Sequence, residues 1–579
     1  MKFYKALLFL SLSVGSIFSY GQNPLFIPPS LTGTNFNLNV QAGTTNFYGS
    51  ILTPTYGING SFLSPTLIVN KGDIVTLNVI NNLTVQTTMH WHGLHVAQMN
   101  DGGPHQIIPS GSTWSPTFEI LNNAGTFWYH PHGEGKTDLH VSKGLAGMII
   151  IHDPAEQALG LPSTYGIDDF PLIVQSKAFD ITTKIAIANH MDTALFVNGT
   201  IDPYLDAPAQ VIRLRLLNGS SMRTFNFGFS NNMTFSQIAT DGGLIAASNQ
   251  LTRLQLAPGE RSEILVDLSS LNGQTLQLMS YSSEIPNGVY GSPLVGIIPD
   301  VMEMYMDNFL NGMDVNLLEI NVVNPTVTPV PVTSIPSVLV PYVPYNVLDV
   351  TVNRELIFDT IRLLPADAPN IMEGPFAING EVFNHDSIEI RIPLNSTEIW
   401  TIINKTLIAH PFHIHDIQFN IIKKNGIAAI SSETGWKDVV LVMPGDSVQF
   451  ITKFITFSDS MTPYMYHCHI LHHEDDGMMG SFIVFDPNAA IPEKPENDFG
   501  LNVFPNPTSD EWNISGNWKN QNFSFEVINI LGEIVFKQSN QEMNSNSFLT
   551  IPSAKFPDGI YLLQVKTDEN THTIKLIKE

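Results

Sequence analysis

Histidine pairs separated by a single residue recur four times in this chain of 579 residues. In a β-strand, residues i and i+2 point to the same face, so each pair delivers two imidazoles to one place. One such pair is weak support for a metal site, but four make chance clustering a poor explanation. Imidazole suits Cu, Zn, Fe or Ni, and eight imidazoles suffice for about three metal ions. The pairs are His90 and His92, His130 and His132, His413 and His415, and His467 and His469.

The only cysteine, Cys468, lies between the two histidines of the last pair. On a strand its thiolate faces away from those imidazoles, which predicts two metal sites back to back. His473 and Met478 follow the cysteine, and His410 precedes the third pair. Two histidines, one thiolate and a weak axial thioether are the ligands of a blue copper site, and zinc would not select a thioether. The sequence therefore favours copper.

The order His-x-His, Pro/Gly turn, Tyr-His-x-His occurs twice, in residues 90–132 and 413–469. Two homologous domains that each present four histidines are the simplest account of this repeat.

The segments that must position these histidines show the alternation of β-strands. Val75, Leu77 and Val79 alternate with polar residues, and no long helical period is found. Charged residues make up 14% of the chain, against about 25% in typical domains, while glycines number 41 and prolines 38. We therefore predict an all-β protein rich in turns. The net charge of −26 argues against a nucleic-acid partner and against binding to anionic membranes.

The N-terminus has the pattern of a secretory signal peptide. Lys2 and Lys5 precede an apolar run over residues 6–18, and small residues follow, which predicts cleavage before Gln22. The run is too short to span a bilayer, and no later stretch is long and apolar enough, so no membrane span is expected. A single cysteine excludes an intramolecular disulfide.

Four motifs resemble those of the three-domain multicopper oxidases, the family of laccases, cuprous oxidases and bilirubin oxidases. They are His-Trp-His-Gly at 90–93, Trp-Tyr-His-Pro-His at 128–132, His-Pro-Phe-His-Ile-His at 410–415 and the run from His467 to Met479. Flanking pieces such as residues 257–261 and 436–438 extend the similarity over about residues 50–486. The resemblance implies three cupredoxin-like Greek-key β-barrel domains. The first and third would carry copper, and the second would be a spacer.

The resemblance also implies four copper ions per chain. The type 1 copper would be bound by His410, Cys468 and His473 with Met478 axial, and the type 2 copper by His90 and His413. One type 3 copper would be bound by His92, His130 and His469, and the other by His132, His415 and His467.

By the same resemblance, the activity would couple four one-electron oxidations of a small donor to the reduction of dioxygen to two waters. Asp101 and Glu474 are the candidate proton relays, with two solvated carboxylates as the alternative. Asp416 and His472 depart from the family pattern. They would tune the potential or the proton supply, or simply face solvent.

The sequence leaves the identity of the electron donor open. Met302, Met304 and Met306 alternate, with Met313 close behind, and soft thioethers bind Cu(I), which would make the protein a cuprous oxidase. The alternative is a strand that buries one methionine face in the core. The methionine-rich insert of the resembling cuprous oxidases lies in the third domain, whereas this row lies late in the second. Phenols and aromatic amines are therefore the leading donors.

Two other classes of protein fit the ligand motifs less well. A non-catalytic copper-binding or structural cupredoxin protein would typically have lost ligands, whereas this chain has ten clustered histidines and Cys468. A copper nitrite reductase would lack the paired type 3 histidines.

The last eighty residues differ in composition from the rest. Residues 505–507 read Pro-Asn-Pro and residues 559–562 read Gly-Ile-Tyr-Leu, which resembles the C-terminal sorting domain of type IX secretion. That implies a small β-sandwich, a secretion machinery as partner, and a secreted or cell-surface location; the alternative is a generic β-module that binds carbohydrate or a surface. The predicted organisation is a signal peptide (1–21), cupredoxin domains (22–155, 156–320 and 347–487), a Pro-rich linker (321–346), a second linker (488–499) and the sorting domain (500–579).

Overall fold

The computed structural model describes residues 23–49, 51–296, 308–360, 376–488, 501–516, 521–529, 532–543, 548–566 and 571–579. The predicted signal peptide and the row Met302, Met304 and Met306 lie outside these residues. Strands account for 50% of the chain and helices for 5%, which confirms the all-β class. The chain forms two compact units, Met1–Asp486 and Pro487–Glu579.

The first copper-motif region forms two five-stranded sheets, ordered β2-β5-β11-β10-β7 and β4-β3-β6-β8 with β9 beside β6. The predicted alternation holds in β6, where Val75, Leu77 and Val79 are buried in a core with Trp91 and Phe127. β1 instead pairs with β15 of the second region. The strands are β1 Asn23–Pro24, β2 Ser30–Thr32, β3 Asn35–Tyr48, β4 Ile51–Ile58, β5 Thr66–Asn70, β6 Ile74–Asn81, β7 His90–His92, β8 Thr113–Trp114, β9 Thr117–Glu119, β10 Gly125–His130 and β11 Gly147–His152.

The second region packs two sheets around its own apolar core, ordered β13-β12-β16-β21-β18-β19 with β14 beside β12, and β1-β15-β23-β22-β17-β20. The last strand ends three residues inside the segment predicted as a linker (321–346). The strands are β12 Asp169–Phe179, β13 Ile185–Ala186, β14 Ala194–Val197, β15 Pro203–Pro208, β16 Val211–Asn218, β17 Phe225–Phe229, β18 Phe235–Thr240, β19 Gly243–Leu251, β20 Leu254–Leu256, β21 Arg261–Asp267, β22 Thr275–Tyr281 and β23 Asp314–Val323.

The third region repeats the arrangement of the first, with sheets ordered β25-β24-β27-β32-β29-β30 and β26-β34-β33-β28-β31 around Trp400, Phe412 and Phe450. The strands are β24 Val352–Thr360, β25 Phe376–Ile378, β26 Ile390–Pro393, β27 Thr397–Asn404, β28 His410–Ile414, β29 Phe419–Lys424, β30 Ile427–Ala428, β31 Val439–Val442, β32 Ser447–Lys453, β33 Tyr464–Cys468 and β34 Met479–Phe485.

Helices are few and short in the described residues. The α-helices are α1 Thr137–Ser142, α2 Pro154–Gln157 and α3 Leu471–Asp475, and the 3₁₀ turns are Gln98–Asn100, Ser282–Glu284, Val347–Asp349 and Ser431–Glu433.

The second unit is the predicted small β-sandwich. Its sheets are ordered β35-β36-β39 and β38-β37-β40-β41, and Trp512, Phe525 and Leu563 are fully buried between them. The strands are β35 Asn502–Phe504, β36 Glu511–Ser515, β37 Gln521–Asn529, β38 Ile534–Met543, β39 Leu549–Pro552, β40 Gly559–Lys566 and β41 Thr571–Lys578.

A buried charge cluster joins the first two regions. Glu263 on β21 accepts from Arg213 Nε at 2.9 Å and from Arg215 Nη1 at 2.8 Å, and Thr126 of β10 donates to the same carboxylate at 2.7 Å. All four side chains are buried. Two guanidinium groups share this carboxylate, and each of them also pairs with a second buried carboxylate. Glu263 therefore bridges two buried ion pairs.

We expect Glu263→Gln to lower the free energy of unfolding by about 1–3 kcal/mol, because the glutamine NH₂ group would face a guanidinium donor and leave buried donors without an acceptor, although each arginine keeps its second carboxylate. The midpoint of the first cooperative urea transition measures the change. Glu284→Gln is the control, since its ion pair with Arg253 is partly exposed and is worth about 0–1 kcal/mol. Equal shifts for the two variants would contradict the assigned role of Glu263.

Candidate metal centre

Three of the predicted type 1 ligands converge in the third region. Cys468 ends β33, His410 begins β28, and His473 lies on α3. The Cys468 Sγ atom lies 3.4 Å from His410 Nδ1 and 3.7 Å from His473 Nδ1. We call these three residues the cysteine set. Met478, the predicted axial ligand, is fully buried in the same core as Cys468.

The surroundings of the cysteine set suit a soft metal ion. Burial raises the pKa of the Cys468 thiol, so a cation is needed to hold it as a thiolate. The hydroxyl of Thr406 lies 2.8 Å from His410 Nε2, which leaves Nδ1 directed at the sulfur. The ring of Phe376 packs against both histidines, with centroid distances of 4.7 and 4.5 Å, and helps exclude water.

The eight histidines of the four pairs form a second centre, the histidine cluster. β7 pairs with β10 so that His90 stands opposite His130, and β28 pairs with β33 so that His413 stands opposite His467. The first and third regions each contribute four of the eight. Three groups have ligand atoms within 4.8 Å of one another: His92, His130 and His469; His132, His415 and His467; and His90, His413 and His415.

Two imidazole nitrogens of the histidine cluster each face two others, although an imidazole nitrogen offers only one hydrogen or one lone pair. His130 Nε2 and His469 Nε2 lie 3.4 and 3.3 Å from His92 Nδ1, and His132 Nε2 lies 3.1 Å from His467 Nε2 and 3.2 Å from His415 Nε2. His90 Nε2 and His413 Nε2 are buried with no hydrogen-bond partner among the described residues.

Burial, reinforced by the neighbouring imidazoles, lowers the pKa of seven histidines of the cluster, most strongly in five of them. A neutral imidazole is the form that binds a metal ion, and converging lone pairs need a cation between them. The donor set therefore fits metal ions, and imidazole is a ligand that copper accepts. The five are His92, His130, His132, His413 and His467.

Both candidate proton relays border the histidine cluster and are buried, so the solvated alternative is wrong. Asp101 Oδ2 accepts from His415 Nδ1 at 2.7 Å. Burial would raise the pKa of Asp101, but His415 and His90 outweigh that effect and hold it well below its usual value. Glu474 Oε2 lies 3.2 Å from His467 Nδ1.

Of the two departures from the family pattern, Asp416 does not face solvent. It is buried and lies 2.7 Å from His95 Nδ1, so it joins the third region to the first. Burial would lower the pKa of His95, but Asp416 outweighs that effect and raises it. His472 is half-buried, and its ring packs against His473 at 4.4 Å.

Sequence reasoning assigned no role to Arg261 and Asp438, although it noted the segments that contain them. Asp438 Oδ1 lies 3.2 Å from His92 Nε2 at the histidine cluster. Arg261 belongs to the second region and donates to that carboxylate. A signal was available in the two family-like segments themselves, residues 257–261 and 436–438, but no local pattern links positions so far apart.

Comparisons with known proteins agree with this site. Residues 39–156 and 358–488 match models of the multicopper oxidase family. A multicopper oxidase of Staphylococcus haemolyticus is 34% identical over 460 residues, which cover 78% of this chain and 88% of that protein. The cell division protein FtsP of Xenorhabdus nematophila is 30% identical over 420 residues, which cover 72% and 81%.

Solved structures show the same fold. A laccase-like multicopper oxidase, CueO of Ochrobactrum sp., described with activity towards lignin model compounds, has 32% identity and a TM-score of 0.69, covering 80% of this chain and 100% of its own. A Campylobacter jejuni multicopper oxidase described as a metallo-oxidase has 25% identity and a TM-score of 0.68, covering 81% and 96%.

The fold and the site thus define an oxidoreductase that uses copper. This chain belongs to the multicopper oxidase family. Residues 502–579 match the secretion system C-terminal sorting domain, which indicates export. In the part of the chain that the structure describes, no helix is both long and apolar enough to cross a membrane.

Proposed function

We propose that this protein is a laccase-like oxidase that couples four one-electron oxidations of a phenol or aromatic amine to the reduction of dioxygen to two waters. The observation that carries the proposal is the placement of Cys468 between His467 and His469. Three consecutive residues at the end of β33 thereby give one ligand to the cysteine set and two to the histidine cluster, so a bonded path of a few residues joins the two centres.

The proposed ligands are those that the sequence predicted. The cysteine set with Met478 would hold a type 1 copper, His90 and His413 a type 2 copper, and the two remaining trios of the histidine cluster the type 3 pair. When bound, copper would supply one-electron transfer from the donor to dioxygen. The protein's own part is to keep the imidazoles neutral, hold the thiolate and exclude water.

Proton supply is proposed to pass through Asp101 and Glu474. Each carboxylate contacts the Nδ1 atom of a histidine whose Nε2 points into the cluster, so each stands one imidazole away from the reacting centre. The hydroxyl of Thr137 donates to Glu474 Oε1 at 2.7 Å and fixes its orientation.

Two alternatives have specific support. A cuprous oxidase is favoured by the row Met302, Met304 and Met306, and by the metallo-oxidase among the similar structures. A non-catalytic copper-binding or structural role is the other alternative, because one similar protein is named for cell division, but ten clustered histidines and Cys468 are all retained, as catalysis requires. We propose that the enzyme is secreted or held at the cell surface, and that its C-terminal unit directs it to a type IX secretion machinery.

Oxygen uptake by the copper-loaded protein tests the proposal. We expect faster uptake with a methoxyphenol than with Cu(I) under matched conditions, after spontaneous oxidation is subtracted. A preference for Cu(I) would make the protein a cuprous oxidase, and no uptake with either donor would favour the structural role. Because the second unit has its own core, removing it should leave the rate unchanged, which serves as the control.

A further inference from the structure

Five buried charged side chains of the second and third regions, which we call the charged row, lead to the histidine cluster. Lys437 Nζ lies 2.6 Å from Glu260 Oε1 and 2.9 Å from Asp241 Oδ2. The carboxylate of Asp241 accepts from the backbone N–H of Arg261 at 2.8 Å. The row ends at Asp438, whose carboxylate faces His92.

The Arg261 guanidinium forms a bidentate ion pair with the Asp438 carboxylate. Nη1 donates to Oδ1 at 2.6 Å and Nη2 to Oδ2 at 2.7 Å. The remaining N–H groups donate to three backbone carbonyls, those of Thr126, Gly259 and Asp241. Every donor of this fully buried side chain is thus used in a geometry that a lysine cannot reproduce.

Asp438 touches two histidines of the cluster. Its Oδ1 atom accepts from His92 Nε2 at 3.2 Å, and its backbone carbonyl accepts from His413 Nδ1 at 2.8 Å. His92 is left to present Nδ1 to the neighbouring imidazoles, and His413 is left to present Nε2. One residue therefore selects the coordinating nitrogen of two histidines from different regions.

Asp438 also lies close enough to His92 and His413 to be a metal ligand itself. Both of its oxygen atoms, however, are already hydrogen-bonded to Arg261, and a cation bound there would face a fixed guanidinium charge. The row is not a proton path either, because arginine does not release its proton.

Gly259, in the turn just before Arg261, supports a third histidine of the cluster. Gly259 has a φ of +84°, and a Cβ atom placed there would come within 2.9 Å of the His469 ring. Only glycine lets this backbone lie against the imidazole. The second region, expected to be a spacer, thus contacts the cluster directly.

We propose that Arg261 and Asp438 are positioning residues, through which the second region selects the coordinating nitrogens of His92 and His413. This inference rests on the proposed function, because it concerns the same histidine cluster. In the described part of the chain, no hydrogen bond or ion pair joins the cysteine set to the charged row, so the blue type 1 centre should report separately on a correctly folded third region.

The test compares Arg261→Lys with Arg215→Lys in the full-length, copper-loaded protein. Arg215 is equally buried in the second region and donates two hydrogen bonds of 2.8 Å to the Asp169 carboxylate. Among the described residues, it has no hydrogen bond to a histidine of the site. We measure copper content, the electron paramagnetic resonance signal of the type 2 copper, and the rate at which dioxygen reoxidises the reduced protein.

Arg261→Lys is expected to keep the blue colour and its reduction by donor, to change or lose the type 2 signal, and to slow reoxidation about 10–100-fold. Arg215→Lys should change only the unfolding midpoint. Asp438→Asn, which keeps the side-chain shape, should reproduce the Arg261→Lys result and serves if that variant does not fold.

The inference would be overturned if Arg261→Lys left the type 2 signal and the reoxidation rate unchanged. If that variant does not fold, the same result in Asp438→Asn would overturn it. An equal loss of signal and rate in Arg215→Lys would also overturn it. If the wild-type protein itself showed neither blue colour nor oxygen uptake, the proposed function would have failed instead, which is a distinguishable result.

Discussion

Cys468→Ser is expected to abolish both the blue absorption and the oxidation of every donor. The sulfur of Cys468 lies within 3.7 Å of a nitrogen of each histidine of its set, and it is the only thiol in the chain. A serine hydroxyl neither forms the soft bond that copper prefers nor ionises at this depth, so the type 1 site, where we propose that electrons enter from the donor, loses its defining ligand. Absorption spectra and oxygen uptake measure the two losses.

The fold of the Cys468→Ser variant should persist, because one buried hydroxyl costs about 1–3 kcal/mol. Met465→Leu is the matched control, since Met465 is buried on the same strand and the exchange conserves volume. That variant should keep the colour and the rate. Turnover at the wild-type rate by Cys468→Ser would refute the assignment of electron entry to this site.

The positions that the sequence predicted well are those whose chemistry is local. The spacing of two residues on β7 places both His90 and His92 in the histidine cluster, and the same periodicity buries Val75, Leu77 and Val79 on β6. The repeated order of motifs indicated two homologous regions that each present four histidines. Both inferences depend on short stretches of chain, where geometry follows directly from residue type and spacing.

The contacts that sequence reasoning missed are long-range and ionic. Arg261 and Asp438 are 177 residues apart, and neither lies in a pattern that distinguishes a buried ion pair from two surface charges. The pairing of Asp416 could not be predicted for the same reason, because its partner His95 belongs to another region. The packing of whole domains decides which charged groups pair, and no periodicity within a short segment encodes that packing.

Glu474→Gln is expected to slow dioxygen reduction about 10²–10⁴-fold, the range for loss of a positioned proton donor. Glutamine has nearly the shape of glutamate and can still bond to Thr137, but it does not bind and release a proton. His467 should keep its orientation, because its Nδ1 atom also lies 2.9 Å from the Cys468 carbonyl. The blue colour and the reduction of the type 1 centre by donor should therefore be unchanged.

Rapid mixing of the reduced variant with dioxygen isolates this step from electron entry. Asp476→Asn is the control, because Asp476 is an exposed carboxylate that follows the same short helix. It should reoxidise at the wild-type rate. A wild-type rate in Glu474→Gln would remove Glu474 from proton supply and leave Asp101, which contacts His415, as the remaining candidate. A slowed donor reduction would instead mean that the substitution had disturbed His473 on the same helix, and the loss could not then be assigned to proton transfer.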